Sequence, residues 1–187
     1  RLLRPRYPFS LRPAEVATFQ SHRKCWQEIL DRGLEAALII EDDVDIINRE
    51  FTAAVKLAMK EIKMGDLIRF PIKLREKPKN RIVKEGNISI FEPTLVGLGM
   101  VAQIVTFDAA RRLLEQTARF DRPVDTYLQL RWKHKVRILT LWPNGIREIS
   151  SSLGGSLIQE KSNDNRLKRE LLRPLFRAKL NIYARIN

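Results

Sequence analysis

The sequence predicts an α/β layered fold, a central mixed sheet flanked by helices, on three observations. Segments whose apolar residues return at helical spacing alternate with short continuous apolar runs. Those runs are too short for helices and read as strands buried between layers. With 187 residues and 44% apolar content, one domain holds enough core to close around such a sheet.

The elements follow in order. From Pro13 to Arg32, Val16, Phe19, Trp26, Ile29 and Leu30 recur at helical spacing, with Pro13 suited to a first helical position and Gly33 to a stop. Ala36 to Ile40 is a continuous apolar run, expected to be a buried strand of a parallel or mixed sheet. Asn48 can cap a second helix with Phe51, Val55, Ala58, Met59 and Ile62 on one face, ended before Gly65. Leu67 to Phe70 reads as another strand.

The basic stretch from Pro71 to Pro93, with strand-like pieces at Arg81 to Val83 and Ile88 to Phe91, predicts a hairpin or flap. Val101 to Val105 predicts a buried strand, after which Thr106 can cap a helix over Asp108 to Ala118. Pro123 starts a helix to about Trp132, and Val136 to Trp142 closes the pattern as a strand. Trp26, Trp132 and Trp142 sit in apolar or periodic contexts and are expected in the core. No internal repeat is visible. The domain is expected to span residues 1–159, with a separate tail over 160–187.

That tail, Lys161 to Asn187, carries eight basic and two acidic residues interleaved with Leu171, Leu172, Leu175, Phe176, Leu180, Ile182 and Tyr183. It predicts a basic amphipathic helix, which either packs on the domain or docks on an anionic membrane surface. The whole chain is also basic, with a formal charge of +13 and a pI near 10.3, and such a surface attracts polyanions. No apolar run approaches the roughly 18 residues of a membrane span, and no signal-peptide pattern opens the chain. The one cysteine, Cys25, cannot form an intramolecular disulfide, which favours a reducing, cytoplasmic setting.

The densest chemical signal is Glu41-Asp42-Asp43-Val44-Asp45, four carboxylates at the C-terminal end of the Ala36 to Ile40 strand. Open α/β sheets bind ligands at that end of their strands. Packed carboxylates repel unless a cation neutralises them, and an oxygen-only donor set suits Mn²⁺ or Mg²⁺ bridging to a diphosphate. The alternative is a solvated acidic turn.

The segment Leu11 to Val44, with Ser21-His22 and Trp26 ahead of Ala37-Leu38-Ile39-Ile40-Glu41-Asp42-Asp43-Val44, resembles glycosyltransferase family 25. A second block, Gly99 to Leu114 followed by Arg122-Pro123-Val124-Asp125, is similar to that family's glycine, strand, helix and Pro-Val-Asp order. The resemblance implies a GT-A type fold and an inverting hexosyltransferase of bacterial lipopolysaccharide or lipooligosaccharide synthesis. It implies a nucleotide-sugar donor, usually a UDP-hexose, and a lipid-linked oligosaccharide acceptor. It also implies that Glu41-Asp42-Asp43 is the metal and diphosphate motif: Asp43 is expected to hold the metal, with Asp45, which the resemblance covers less firmly, as its partner, while Ser21, His22, Glu41, Asp42 and Gly99 are expected to contact donor or substrate. Two departures accompany it: Gln103 stands where the family commonly has an aromatic residue, and the usual first nucleotide-binding strand is missing ahead of Arg1.

Each remaining site residue carries two readings. His22 is either a packed helix residue or a hydrogen-bonding contact to a ligand. Asp125, near a helix start, either stabilises the exposed N–H groups or serves as general base, and the Pro-Val-Asp match favours the base. Gly154, Gly155 and Ser156 form either an ordinary turn or a loop that closes over the donor phosphates, with Lys161 nearby. The competing function is a non-catalytic basic module for nucleic acid or another polyanion, although no nucleic-acid motif is present and the acidic cluster would repel phosphate. For the enzyme, the expected location is cytoplasmic and peripheral to the inner membrane.

Overall fold

The computed structural model describes residues 3–148 and 166–186. The chain opens with α1 (Pro13–Asp31), whose first turn is closed by Glu15: its carboxylate accepts the Arg12 N–H at 2.8 Å and an Arg12 guanidinium N–H at 3.0 Å. Next come β1 (Ala36–Ile40), β2 (Val44–Ile46), α2 (Asn48–Glu61) and β3 (Asp66–Arg69). A hairpin of β4 (Pro78–Glu85) and β5 (Ile88–Pro93) precedes β6 (Ala102–Thr106) and α3 (Phe107–Gln116). Two short helices, α4 (Val124–Leu128) and α5 (Arg131–His134), lead to β7 (Arg137–Trp142) and β8 (Ile146–Glu148), and α6 spans Arg166–Ile186.

Six strands form one mixed sheet in the order β1-β6-β3-β7-β5-β4, and β2 pairs with β8 in a separate ribbon. The central strands are apolar on both faces, as a sheet covered on two sides requires. Leu67, Val105 and Ile138 enter one core with Phe19, Trp26 and Ile29 of α1 and Ala109 and Leu113 of α3. Their neighbours Ile68, Ile104 and Leu139 enter the opposite core with Ala54, Leu57 and Ala58 of α2. The period-2 alternation of strand side chains thus divides one apolar run between two helix layers.

The architecture matches the expected mixed sheet flanked by helices, and several local expectations change. Among the described residues β1 is an edge strand, paired with β6 alone, rather than a fully buried one, and it leaves Leu38 and Ile40 38% and 37% exposed. The buried face of α2 is carried by Ala54, Leu57 and Ala58, while Met59 is exposed, and Ile47 rather than Asn48 is the capping residue. The expected helix from Pro123 to Trp132 is two helices, because Leu130 at ψ 54° leaves the helical region between them. Thr106 does occupy the cap of α3, but its hydroxyl accepts the Gly65 N–H at 3.1 Å and donates to the Asp66 carbonyl at 2.9 Å. Trp26 is fully buried, whereas Trp132 and Trp142 are partly exposed.

Strand direction sets the position of the site. β6 runs antiparallel to both β1 and β3, and β3 runs parallel to β7, so β1, β3 and β7 share one direction. Their carboxyl ends therefore lie along one edge of the sheet, beside the segment that enters β6. The Glu41 N–H donates to the Val101 carbonyl at 2.8 Å across that edge.

The amphipathic helix α6 lies against this body. Phe176 and Leu180 are buried in the α1/α3 core, Phe176 meets Tyr7 edge-on at 5.4 Å between centroids, and Tyr183 stacks on Trp132 at 6.0 Å. Its opposite side leaves Leu171, Leu175, Ile182 and Ile186 exposed.

Candidate functional site

A cavity of about 860 Å³ opens at the shared carboxyl edge of the sheet, lined among others by Glu41, Gly97, Gly99, Asp125 and Gln129. Glu41 follows β1 directly. Asp125 lies in the first turn of α4, far along the chain, and only the tertiary fold brings it to the same cavity.

The floor is the segment 94–100, pinned by side chains from distant parts of the chain. Arg69, at the end of β3, donates to the Leu98 and Gly99 carbonyls at 3.2 and 2.7 Å and pairs with Glu76. Glu76 Oε1 also accepts the Gly97 N–H at 2.9 Å and the Thr140 hydroxyl at 3.1 Å. Gln129 donates to the Val96 carbonyl at 2.6 Å, and Arg131 to that of Thr94 at 3.0 Å. Both members of the Arg69–Glu76 pair are nearly inaccessible, at 3% and 2% side-chain exposure, so each charge depends on the other and on the backbone groups around it. Burial pulls the Arg69 pKa below its ordinary value, against the opposing pull of the Glu76 and Asp125 charges.

Two glycines shape this floor, one by its backbone angle and one by a close approach. Gly99 has φ +90°, a region that side chains disfavour, and a Cβ on Gly97 would stand 2.9 Å from the Glu76 carboxyl carbon. Gly99 stands in the cavity wall with both backbone groups engaged, its N–H donating to Asp125 Oδ2 at 2.9 Å and its carbonyl accepting from Arg69. Asp125 Oδ1 accepts the N–H and the hydroxyl of Thr126 at 2.6 and 3.3 Å. Asp125 therefore fixes the floor and, half-buried, also faces the cavity.

His22 is buried on the inner face of α1. One ring nitrogen, Nδ1, lies 3.1 Å from Gln103 Nε2, and the other, Nε2, lies 3.4 Å from Glu41 Oε1. With the Gln103 amide donating to Nδ1, the Nε2–H is directed to Glu41. His22 thus reaches the cavity through Glu41 rather than lining it. Gln103 fills the interior next to it with no solvent exposure, and its Oε1 has no hydrogen-bond partner among the described residues. Ser21 is exposed on α1 outside the cavity lining.

Asp42 is exposed and Asp43 half-buried in the bend between β1 and β2, and neither lines the cavity. Asp45 is exposed on β2, opposite Arg147 of β8, while its neighbours Val44 and Ile46 are half-buried. Among the described residues no three His, Cys, Asp or Glu side chains converge as a metal cage. The groups available to hold a cation here are the carboxylates of Asp43 and Asp45, oxygen donors of the kind Mg²⁺ and Mn²⁺ take. Gly154, Gly155, Ser156 and Lys161 lie outside the described residues.

Arg69, Glu76 and Gln129 carry no site signal in the sequence, because their roles depend on where the chain returns. The spacing Gly97-Leu98-Gly99 was the available signal for a close backbone approach.

A helix-flanked mixed sheet with a cavity at the carboxyl ends of its co-directional strands defines an α/β protein whose cavity stands where such folds bind small molecules. The sequence matches the profile of glycosyltransferase family 25 (LPS biosynthesis protein) over residues 6–128, and the chain belongs to that family. It is 32% identical over 129 residues to the probable inactive glycosyltransferase 25 family member 3 of Bos taurus, covering 65% of this chain and 21% of that protein. It is 38% identical over 65 residues to procollagen galactosyltransferase 2 of Mus musculus, 33% of this chain and 10% of the relative. With the Homo sapiens protein of the same name the identity is 50% over 42 residues, 21% and 7%. The chain thus matches only a small part of each relative's length. Family membership supports the transferase class, and the bovine relative is itself named as probably inactive.

Proposed function

We propose that this chain carries the site of an inverting, metal-dependent hexosyltransferase of GT-A type, moving a hexose from a UDP-sugar to a lipopolysaccharide or lipooligosaccharide core acceptor. The observation that carries the reading is the meeting of Glu41 and Asp125 at one cavity, over a floor built from Gly97 and Gly99. Its volume of about 860 Å³ is within the usual span for small-molecule sites.

In the proposed reaction Asp125 accepts the acceptor hydroxyl proton as that oxygen attacks the anomeric carbon. The new carbon–oxygen bond forms on the face opposite the breaking bond to phosphate, and the nucleoside diphosphate leaves with the electron pair. A single displacement of this kind inverts the anomeric centre and needs no protein nucleophile. The Gly99 N–H holds Asp125 in place, and His22 orients Glu41 toward the donor. Asp43, with Asp45, would hold Mn²⁺ or Mg²⁺, which supplies charge neutralisation for the departing diphosphate. The names of the procollagen relatives make UDP-galactose the first donor to test.

The test is UDP-galactose hydrolysis and UDP binding with and without Mn²⁺, for the native chain and Asp43→Asn. The expected result is metal-dependent binding in the native chain and its loss in the variant, with the fold retained in both. Normal metal-dependent binding by Asp43→Asn removes the metal assignment. No UDP binding under any condition removes the transferase reading in favour of a basic polyanion-binding module.

A further inference from the structure

Beyond the two carboxylates, the same cavity has a basic wall. Arg75 and Lys77, between β3 and β4, and Arg173 and Arg177 of α6 all line it. The other charged residues of the lining are largely neutralised by neighbours: Arg12 pairs with Glu15, and Glu76 with the buried Arg69. Four cations therefore face the Glu41 and Asp125 carboxylates. Arg173 and Arg177 are exposed to solvent on the cavity side of a helix anchored by Phe176 and Leu180. A long, flexible cation held at a fixed helix position but left solvated is suited to pairing with an incoming oxyanion.

The anchoring of α6 decides which part of the cavity these arginines serve. Phe176 packs on Tyr7 and lies under the Arg122 guanidinium, 5.9 Å from it, and Tyr183 stacks on Trp132. Arg122 and Trp132 bracket α4, the helix that carries Asp125. The arginines thus belong to the Asp125 side, whereas the acidic segment leaves β1 and continues into the β2–β8 ribbon.

We infer that Arg173 and Arg177 form an anion subsite that receives a phosphate group carried by the acceptor, separate from the place of the donor diphosphate. The assignment of sides rests on the transferase reading, while the anion site itself rests on the cavity alone. A phosphate seated there holds the acceptor by its charge and leaves the nearby hydroxyl to Asp125. It also gives the basic composition of α6 a role in substrate choice in addition to any surface attraction.

Inorganic phosphate, titrated at constant ionic strength and followed by NMR shifts of the arginine side chains, is the direct probe. The native chain is expected to bind it saturably. Arg173→Gln/Arg177→Gln is expected to weaken it by about tenfold or more, since two of the four cations are gone. Lys179→Gln, exposed on the same helix but outside the cavity lining, is expected to leave it unchanged and serves as the charge control. UDP with Mn²⁺, added in a second arm, is expected to bind both forms equally and not to displace phosphate. Equal weakening by Lys179→Gln, or no weakening by the arginine pair, overturns the subsite. Competition between UDP and phosphate, with parallel loss of both in the arginine variant, overturns the acceptor assignment by returning the arginines to the donor. Phosphate binding lost with the arginines in a chain that binds no UDP leaves the anion site standing and removes the transferase reading alone.

Discussion

Asp125→Asn separates the two roles that one carboxylate holds. Its Oδ2 accepts the Gly99 N–H and its Oδ1 the Thr126 N–H. Asparagine keeps one acceptor and turns its amide donors toward the other N–H, so one of the two backbone groups loses its partner. The Thr126 bond lies within one turn and is the easier to keep, so the Gly99 N–H is the group expected to be orphaned. An unpartnered buried donor costs about 1–3 kcal/mol, and the half-buried Gly99 N–H, at the cavity wall, belongs at the low end, a fall of roughly 2–4 °C in Tm for a chain of this size. Loss of a general base would in addition lower kcat by a factor on the order of 10² to 10⁴. Gln129→Leu supplies the comparison, because it removes another tie to the same floor, the 2.6 Å bond to the Val96 carbonyl, without touching a carboxylate. It is expected to cost about 1–2 kcal/mol and to leave kcat within a few-fold. Turnover from UDP-galactose and thermal unfolding, measured on both variants, decide the matter. If Asp125→Asn loses stability and retains the turnover of Gln129→Leu, Asp125 is a structural tie and the base lies elsewhere.

Gly97→Ala places a Cβ 2.9 Å from the Glu76 carboxyl carbon, and Glu76 is itself held by Arg69 and Thr140. The expected cost is about 1–3 kcal/mol by chemical denaturation, together with weaker donor binding as the floor shifts; an unchanged midpoint would show that the floor yields freely. His134, buried with Nε2 3.0 Å from the Leu128 carbonyl and Nδ1 accepting the Val136 N–H, has its pKa pushed down to about 4, chiefly by burial. Between the ordinary value near 6.5 and about 4 the unfolded chain takes up a proton that the folded chain refuses. This contribution is therefore full above about pH 6.5 and lost as the pH falls to about 4, on the order of 3 kcal/mol. Urea unfolding from pH 7 to 4 should show that slope in the native chain and a shallower one in His134→Phe; equal slopes would refute it. The outer stripe of α6, with Leu171 70% and Ile186 75% exposed, is proposed to dock on anionic membrane. Co-sedimentation with anionic vesicles should weaken with salt and with Leu175→Asp/Ile182→Asp, and equal binding to neutral vesicles would refute the electrostatic part.

The sequence by itself determined the elements whose signals are local. The helical spacing of Phe19, Trp26 and Ile29 and the left-handed Gly33 gave α1 its extent, and the run Ala36–Ile40 gave β1. The density of Glu41, Asp42, Asp43 and Asp45 pointed to that strand end, and of the four Glu41 lines the cavity. What lay beyond it was decided by pairing partners, which a sequence does not display. Whether β1 is central or at an edge depends on which strand lies beside it, and three-residue strands such as β2 and β8 exist only because each finds the other. Asp125 was legible as a residue near a helix start, and its meeting with Glu41 and Gly99 was not. That meeting follows from β6 running against β1 and β3, which brings residues 94–101 and α4 to the carboxyl edge. Arg69 and Glu76 are ordinary charges in the sequence, and burial beneath that edge is what ties each to the other and makes both part of the site. Charge counting marked the tail as basic, but the packing of Phe176 and Leu180 was needed to point Arg173 and Arg177 into the cavity and to leave Leu171, Leu175, Ile182 and Ile186 outside.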